Sequence, residues 1–116
     1  MFYQMQDGEK KLGSWTINYI APDGGRYLGQ LDVTDKALYF DGKFDMSLKG
    51  IVEETLFVKT GASGYLYIPK NLIKNIDLKK TFLNKRVMIT LENGQVHTFD
   101  YGAMSIDKLA KQIESQ

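Results

Sequence analysis

The chain has few of the residues that small proteins use for cross-links and metal chemistry. None of its 116 residues is cysteine, so disulfides and thiolate metal sites are excluded. A single histidine excludes most zinc chemistry as well. The composition, 43% hydrophobic and 25% charged, is that of a globular domain with its own core. We expect one domain over residues 1–116, in which residues 1–13 could form a flexible N-terminal lead.

Long apolar runs and targeting signals are missing too. No stretch approaches the ~18 apolar residues that a membrane-spanning helix requires. Residues 1–14 show neither the basic segment nor the apolar segment of a secretory signal. The sequence therefore predicts a cytoplasmic protein, whose contact with a membrane could only be peripheral. The formal net charge of +1 implies that electrostatic binding would depend on a local cluster of charges.

The sequence also lacks catalytic motifs. It contains no phosphate-binding P-loop pattern. Ser63 lies in a glycine-rich turn between predicted strands, whereas a nucleophile elbow lies between a strand and a helix. A calcium loop that began at Asp41 would need glutamate at its twelfth position, where Val52 stands. We expect no catalysis, no cofactor and no metal, with the paired carboxylates of Glu53 and Glu54 leaving an enzyme as the alternative.

Alternation of apolar and polar residues dominates the chain and predicts antiparallel strands. The predicted strands cover residues 14–20, 27–33, 38–40, 55–60, 65–69, 71–78, 85–91 and 95–101. Turn residues separate them, including the PDGG stretch at 22–25 and the pair Asn93 and Gly94, which favours a two-residue hairpin loop. Residues 41–54 could be either a loop or a further short strand.

The period changes near the C-terminus. Apolar residues at 106, 109, 110 and 113 form one stripe of an amphipathic helix within residues 104–116. Ser105 is the predicted N-cap of this helix, and Asp107 lies in its first turn, where the helix dipole favours negative charge. A series of short strands followed by one helix predicts a mainly β fold of seven or eight antiparallel strands. We expect a small barrel or bent sandwich that the helix closes.

Three stretches together resemble a known family. They are GQLDVTDKALYFDG at 29–42, YIPKNLIKNI at 67–76 and VMITLENGQVHTF at 87–99, followed by the helix. This pattern resembles the GRAM family of the pleckstrin-homology-like superfold and extends over about residues 14–115. The resemblance implies a partly open barrel capped by a C-terminal helix, in a module that binds membrane phosphoinositides or proteins. Inositide-binding members usually carry several cations near the first hairpin loop, where this chain offers only Arg26.

Cations concentrate between residues 69 and 86, where Asp77 is the one acidic residue. With Arg26, they form our candidate set for binding anions or lipid: Lys70, Lys74, Lys79, Lys80, Lys85 and Arg86. Such lysines also serve solubility and protect sheet edges, so this alternative stays open. We expect no nucleic acid as a partner, because Phe82 is the only aromatic residue in the segment and stacking platforms need several.

Two aromatic features complete the candidate residues. Tyr65 and Tyr67 share one strand face and could form an exposed strip for a partner protein, or pack beneath the helix or the 41–54 segment. His97 shares a face with Phe99 and is predicted to be a structural residue of the core. The sequence thus predicts a non-catalytic binding or adaptor module that engages a protein or its own copy through a strand edge or loop face. Peripheral binding to anionic phospholipid through the basic residues is the alternative.

Overall fold

The computed structural model describes residues 5–22, 24–42, 58–59 and 65–115. Eight strands and one helix lie in these ranges. Their bounds are β1 Lys11–Ile20, β2 Arg26–Thr34, β3 Ala37–Asp41, β4 Val58–Lys59, β5 Tyr65–Pro69, β6 Ile73–Lys80, β7 Lys85–Leu91, β8 Val96–Asp100 and α1 Asp107–Glu114. A short 3-10 turn over Lys70–Leu72 connects β5 to β6. Of residues 41–54, for which two alternatives were predicted, Asp41 ends β3 and residues 43–54 lie outside the described residues.

All eight strands belong to one antiparallel sheet in the order β4-β5-β3-β2-β1-β8-β7-β6. β1 connects the two halves, because it pairs with β2 along most of its length and with β8 through Asn18, Tyr19 and Ile20. The sheet is open, with β4 and β6 as the outer strands of the described part. This architecture confirms the predicted mainly β fold with a C-terminal helix.

The core lies between the curled sheet and α1. Its buried side chains come from the inward rows of six strands and from the helix: Ile17, Tyr19, Leu31, Val33, Leu38, Phe40, Leu66, Ile68, Val87, Ile89, Leu91, Phe99, Ile106, Leu109 and Ile113. The strand positions alternate with more exposed residues, as expected where one face of a sheet packs on a core. Removal of these apolar surfaces from water is therefore the main stabilising contribution.

Gly29 explains one feature of the resemblance, because β2 approaches the end of β3 very closely there. A Cβ atom at residue 29 would lie 2.1 Å from the carbonyl oxygen of Asp41. Any side chain at this position would push β3 away from β2. The glycine is thus required by strand packing, which places it among the residues that specify the fold.

Helix α1 covers the core with the predicted stripe, since Leu109, Ala110 and Ile113 are buried. The prediction that Ser105 is its N-cap is wrong: Ile106 occupies that position, and no side-chain cap is formed. Ile106 is itself fully buried. Packing of this side chain against the sheet sets where the helix begins, in place of a capping hydroxyl.

The loop between β7 and β8 also differs from its predicted form. The amide of Gly94 donates to the carbonyl of Leu91 (2.9 Å), and the amide of Leu91 donates to the carbonyl of Gln95 (2.9 Å). Four residues, 92–95, therefore lie between the two strands, where Asn93 and Gly94 predicted a two-residue loop. Gly94 has φ = 90°, a value that glycine adopts without strain, so the longer loop closes as a turn followed by a glycine in the left-handed region.

The N-terminal segment contacts the sheet before β1 begins. Glu9 is buried, and its carboxylate accepts hydrogen bonds from the hydroxyls of Thr34 and Tyr39 (2.9 Å to the latter). Tyr39 in turn lies in a small cluster with Ala37, Met5 and Tyr67 on the face of the sheet away from the main core. β1 itself starts at Lys11, inside the segment proposed as an N-terminal lead.

Candidate functional site

The hairpin formed by β6 and β7 has a tight, well-bonded turn. Thr81 and Asn84 close it, since the Thr81 amide donates to the Asn84 carbonyl (2.7 Å) and the Thr81 hydroxyl accepts from the Asn84 amide (3.0 Å). The Lys85 ammonium donates to the carbonyl of Thr81 (2.7 Å) and, more weakly, to that of Phe82 (3.4 Å). These contacts fix the backbone on both sides of residues 82 and 83.

Two large apolar side chains stand at this turn. Phe82 is 90% exposed and Leu83 is 66% exposed, and they are adjacent in the chain. We call these two residues the apolar tip. Sequence reasoning missed it, because Phe82 was considered only as a stacking residue and Leu83 not at all. The available signal was the composition of the turn itself: Phe and Leu stand between Thr81 and Asn84, where asparagine or glycine would be usual.

Cations surround the apolar tip on both strands. Lys79 and Lys80 end β6, while Lys85 and Arg86 begin β7. Lys80 forms an ion pair with Asp107 of α1, and this contact lowers the pKa of the Asp107 carboxyl. The Lys79 ammonium has no hydrogen bond or ion pair with any residue in the described ranges, so its charge is available at the surface.

A buried carboxylate positions two of the predicted arginines. Asp100 is 2% exposed, and its Oδ2 atom accepts from Arg86 Nε (3.0 Å) and Arg26 Nη2 (3.5 Å). Its Oδ1 atom accepts from the Gly102 amide (2.8 Å). Arg26 thus lies beside the cations of the hairpin although it is far away in sequence. Beyond Arg86, a small open cavity of about 220 Å³ is lined by Lys79, Thr81, Asn84 and Arg86.

The two remaining lysines of the candidate set have different surroundings. The Lys70 ammonium donates to the carbonyls of Gln112 (2.7 Å) and Ser115 (2.5 Å), and so satisfies the C-terminal end of α1. Burial lowers the pKa of Lys70, and the nearby charge of Asp35 opposes this shift. Lys74, by contrast, is exposed, and its ammonium group has no hydrogen bond or ion pair within the described part of the chain.

The predicted tyrosine pair is described only in part. Tyr67 is half-buried and packs against Tyr39, with ring centroids 5.3 Å apart. It therefore contributes to the small cluster around Ala37. The side chain of Tyr65 lies outside the described residues, so the partner-binding role of this pair stays a prediction.

His97 is a core residue, as predicted. It is fully buried on β8, and its Nδ1 atom shares a 2.6 Å hydrogen bond with the hydroxyl of Tyr19. The two rings also stack, with an interplanar angle of 17°. Burial lowers the pKa of His97 from its ordinary 6.5 to about 4, so the imidazole is neutral at physiological pH.

The described residues offer little for metal or redox chemistry. They hold no group of three or more His, Cys, Asp or Glu side chains that could bind a metal ion. Nor do these ranges contain a helix that is long and apolar enough to cross a bilayer. The arrangement found instead, an apolar tip among oriented cations, is suited to binding.

Comparisons with known proteins bear on the fold. No protein-family model matches the chain, and no curated protein matches its sequence. Among solved structures, the Vps36 N-terminal PH domain has a TM-score of 0.68 at 8% identity, covering 96% of this chain and 80% of its own. The C-terminal domain of an unknown protein from Leishmania infantum has a TM-score of 0.61 at 17% identity, covering 90% of this chain and 82% of that one. These likenesses show that the chain has the pleckstrin-homology-like fold.

Proposed function

We propose that this domain is a non-catalytic binding module that attaches peripherally to anionic membrane surfaces through the β6–β7 hairpin. The observation that carries the proposal is the apolar tip, in which Phe82 is 90% exposed beside the exposed Leu83. Adjacent large apolar side chains held in water by a rigid turn add nothing to the core. Their exposure is explained if they enter the interface of a bilayer, where amphipathic surfaces bury their apolar side.

The charges near the tip favour an anionic surface. Five cations lie close to it or are held beside it by Asp100, and the carboxylates that they contact in the described ranges are Asp100 and Asp107. Asp100 and Asp107 offset two of these five positive charges, which leaves three in excess around the tip. Each Lys or Arg near an anionic membrane contributes about 1 kcal/mol, and salt screens this attraction. The domain is therefore expected to bind weakly, reversibly and in a salt-dependent way.

The sequence favoured a protein partner, with anionic lipid as the alternative. The exposure of the apolar tip, which the sequence analysis did not consider, supports lipid binding as the first proposal. Membership of the GRAM family belongs to the same proposal, and the pleckstrin-homology-like fold supports it at the level of the superfold.

Vesicle sedimentation tests the proposal. We expect the full chain to pellet with vesicles of phosphatidylcholine and phosphatidylserine at low salt, less at moderate salt, and not with phosphatidylcholine alone. The double variant Phe82→Asn with Leu83→Gly should bind about a hundredfold more weakly, because partial burial of two apolar side chains contributes about 3 kcal/mol. Absence of pelleting by the wild-type chain at low salt would refute membrane binding.

The matched control is Val96→Ser. Val96 is 40% exposed and lies at the opposite end of the β7–β8 pair, across from Thr90. Its replacement removes exposed apolar surface without touching the hairpin tip, so pelleting should not change. Equal loss in Val96→Ser and the double variant would mean that general surface apolarity, and not the tip, causes the binding.

A further inference from the structure

A second surface of the molecule lies along the outer edge of β6. Among the described strands, β6 pairs with β7 on one side and has no neighbour on the other. An edge strand presents free N–H and C=O groups to which another extended chain can add. The register shift between Ile73 and Asn75 makes Lys74 the extra residue of a bulge, so the straight part of the edge runs over 75–80, about 20 Å.

A groove with apolar and polar lining residues adjoins this edge. It lies between the beginning of β6 and the end of α1 and has a volume of about 350 Å³. Ile73 and Ile76 of β6 line one side, and Ile113 of α1 lines the other. The polar part of the lining consists of Lys70, Lys74, Asn75 and Glu114, so cations outnumber carboxylates there. The groove is within the range of about 300–1,000 Å³ that ligand pockets usually show. Leu78, on the same face of β6 as Ile76, is 43% exposed and continues the apolar surface along the strand.

The charges along the edge of β6 indicate which kind of partner would bind there. Lys74 and Lys79 are both exposed, and neither ammonium group has a hydrogen bond or ion pair with any residue that the structure describes. Asp77, the acidic residue between them, already accepts a hydrogen bond from Asn75 (2.8 Å). Addition of a second copy of β6 would place a strand with the same excess of lysine beside this edge, and like charges that face each other are destabilising. The edge is therefore suited to a partner of opposite charge.

We infer that the β6 edge and the adjoining groove bind an extended acidic segment of another protein, which adds as a strand beside β6. Its inward residues are aliphatic and enter the groove against Ile76 and Ile113. Its acidic residues meet Lys74 and Lys79. The groove lies at the opposite end of β6 from the apolar tip, and Lys79 is the one residue that both surfaces use. The inference does not rest on membrane binding, and the two surfaces together would let one domain hold a partner at a membrane.

The test uses a phage-displayed library of random twelve-residue peptides, selected on the full chain. We expect enrichment of peptides that alternate aliphatic and acidic residues. In the complex, amide hydrogen exchange should slow at residues 75–80. The double variant Lys74→Glu with Lys79→Glu should bind the selected peptide about tenfold more weakly. The control Lys10→Glu with Lys108→Glu makes the same charge change at exposed lysines elsewhere and should bind as the wild type does.

Several results would overturn the inference. One is that no peptide is enriched over the bare support. Another is that the selected peptides bind the two double variants equally well. Exchange protection at residues 82–83 instead of 75–80 would place peptides on the apolar tip, and a dimer in light scattering that protects residues 75–80 without peptide would make a second copy the occupant.

Discussion

Two hairpins of this domain share strand β7 but have turns of opposite character. The β7–β8 turn uses Asn93 and Gly94, and the Asn93 side chain accepts a hydrogen bond from the Gln95 amide (2.9 Å). The β6–β7 turn is closed equally well by Thr81 and Asn84, yet it presents Phe82 and Leu83 to solvent. If a turn had only to close its hairpin, we would expect residue types such as the asparagine and glycine of the first turn. The second turn contains residues that folding does not require, which is why we assign function to it.

The strands that pair with β7 in the two hairpins differ in the same sense. β8 is anchored in the core, with His97 and Phe99 fully buried. β6 is mostly exposed, and Ile73 and Ile76 are its half-buried positions. Stability is therefore expected to depend on the β7–β8 side of the molecule, and binding on the β6–β7 side. Three predictions test this division.

The largest effect on stability concerns His97 and pH. Because its pKa is about 4 in the folded chain and 6.5 ordinarily, the unfolded chain takes up a proton between these values while the folded chain does not. The free energy of unfolding therefore falls as pH falls through this window, by about 3 kcal/mol, and this contribution is fully present above pH 6.5. Urea unfolding of wild type and His97→Gln from pH 4 to pH 7 measures the difference.

The comparison with His97→Gln separates the effect of histidine protonation on stability from that of the carboxylates, because the carboxylates titrate in both proteins. His97→Gln should be less stable than the wild type at pH 7, because the stacked contact with Tyr19 is lost, but it should lack the extra slope. If the two proteins lose stability in parallel as the pH falls, His97 is not the buried neutral group that the structure indicates, and the β7–β8 side is less firmly anchored than we propose.

Substitutions in the two turns have the next largest effect on stability. Gly94→Val places a β-branched side chain at φ = 90° and should lower the free energy of unfolding by about 2 kcal/mol. Phe82→Asn with Leu83→Gly replaces exposed residues and should change it by less than about 0.5 kcal/mol. Thermal or urea unfolding compares them. A large loss of stability in the second variant would show that the apolar tip supports the fold and would remove the basis of its functional assignment.

Much of this architecture could be predicted from the sequence, because it depends on local patterns. Alternating apolar residues identify strands such as β1 and β7, and the spacing of Leu109, Ala110 and Ile113 identifies the buried face of α1. These signals lie within one element each. The core position of His97 followed from its place on the same strand face as Phe99.

The candidate site could not be predicted in the same way, because it depends on contacts between distant residues. Arg26 reaches Asp100 across 74 positions, and Lys70 reaches Ser115 across 45. The free edge of β6 follows from strand order, which no local pattern contains. The apolar tip is the exception, since Phe82 and Leu83 lie between the predicted strands 71–78 and 85–91, where two adjacent large apolar residues in a turn are a local signal.

The smallest predicted effect concerns the rigidity of the apolar tip. Thr81→Val keeps the side-chain shape but removes the hydroxyl that accepts from the Asn84 amide and donates to the Asn84 carbonyl (3.1 Å). Because the turn is exposed, water replaces these bonds and stability should fall by only about 0.5 kcal/mol. The backbone of residues 82–83 should nevertheless become more mobile in NMR relaxation, and vesicle binding should weaken about twofold because the tip must be ordered on binding. Thr81→Ser retains the hydroxyl and should behave as the wild type. If valine and serine variants bind vesicles equally well, the turn does not preorganise the tip, and exposure of the two side chains alone accounts for the difference between the two hairpins.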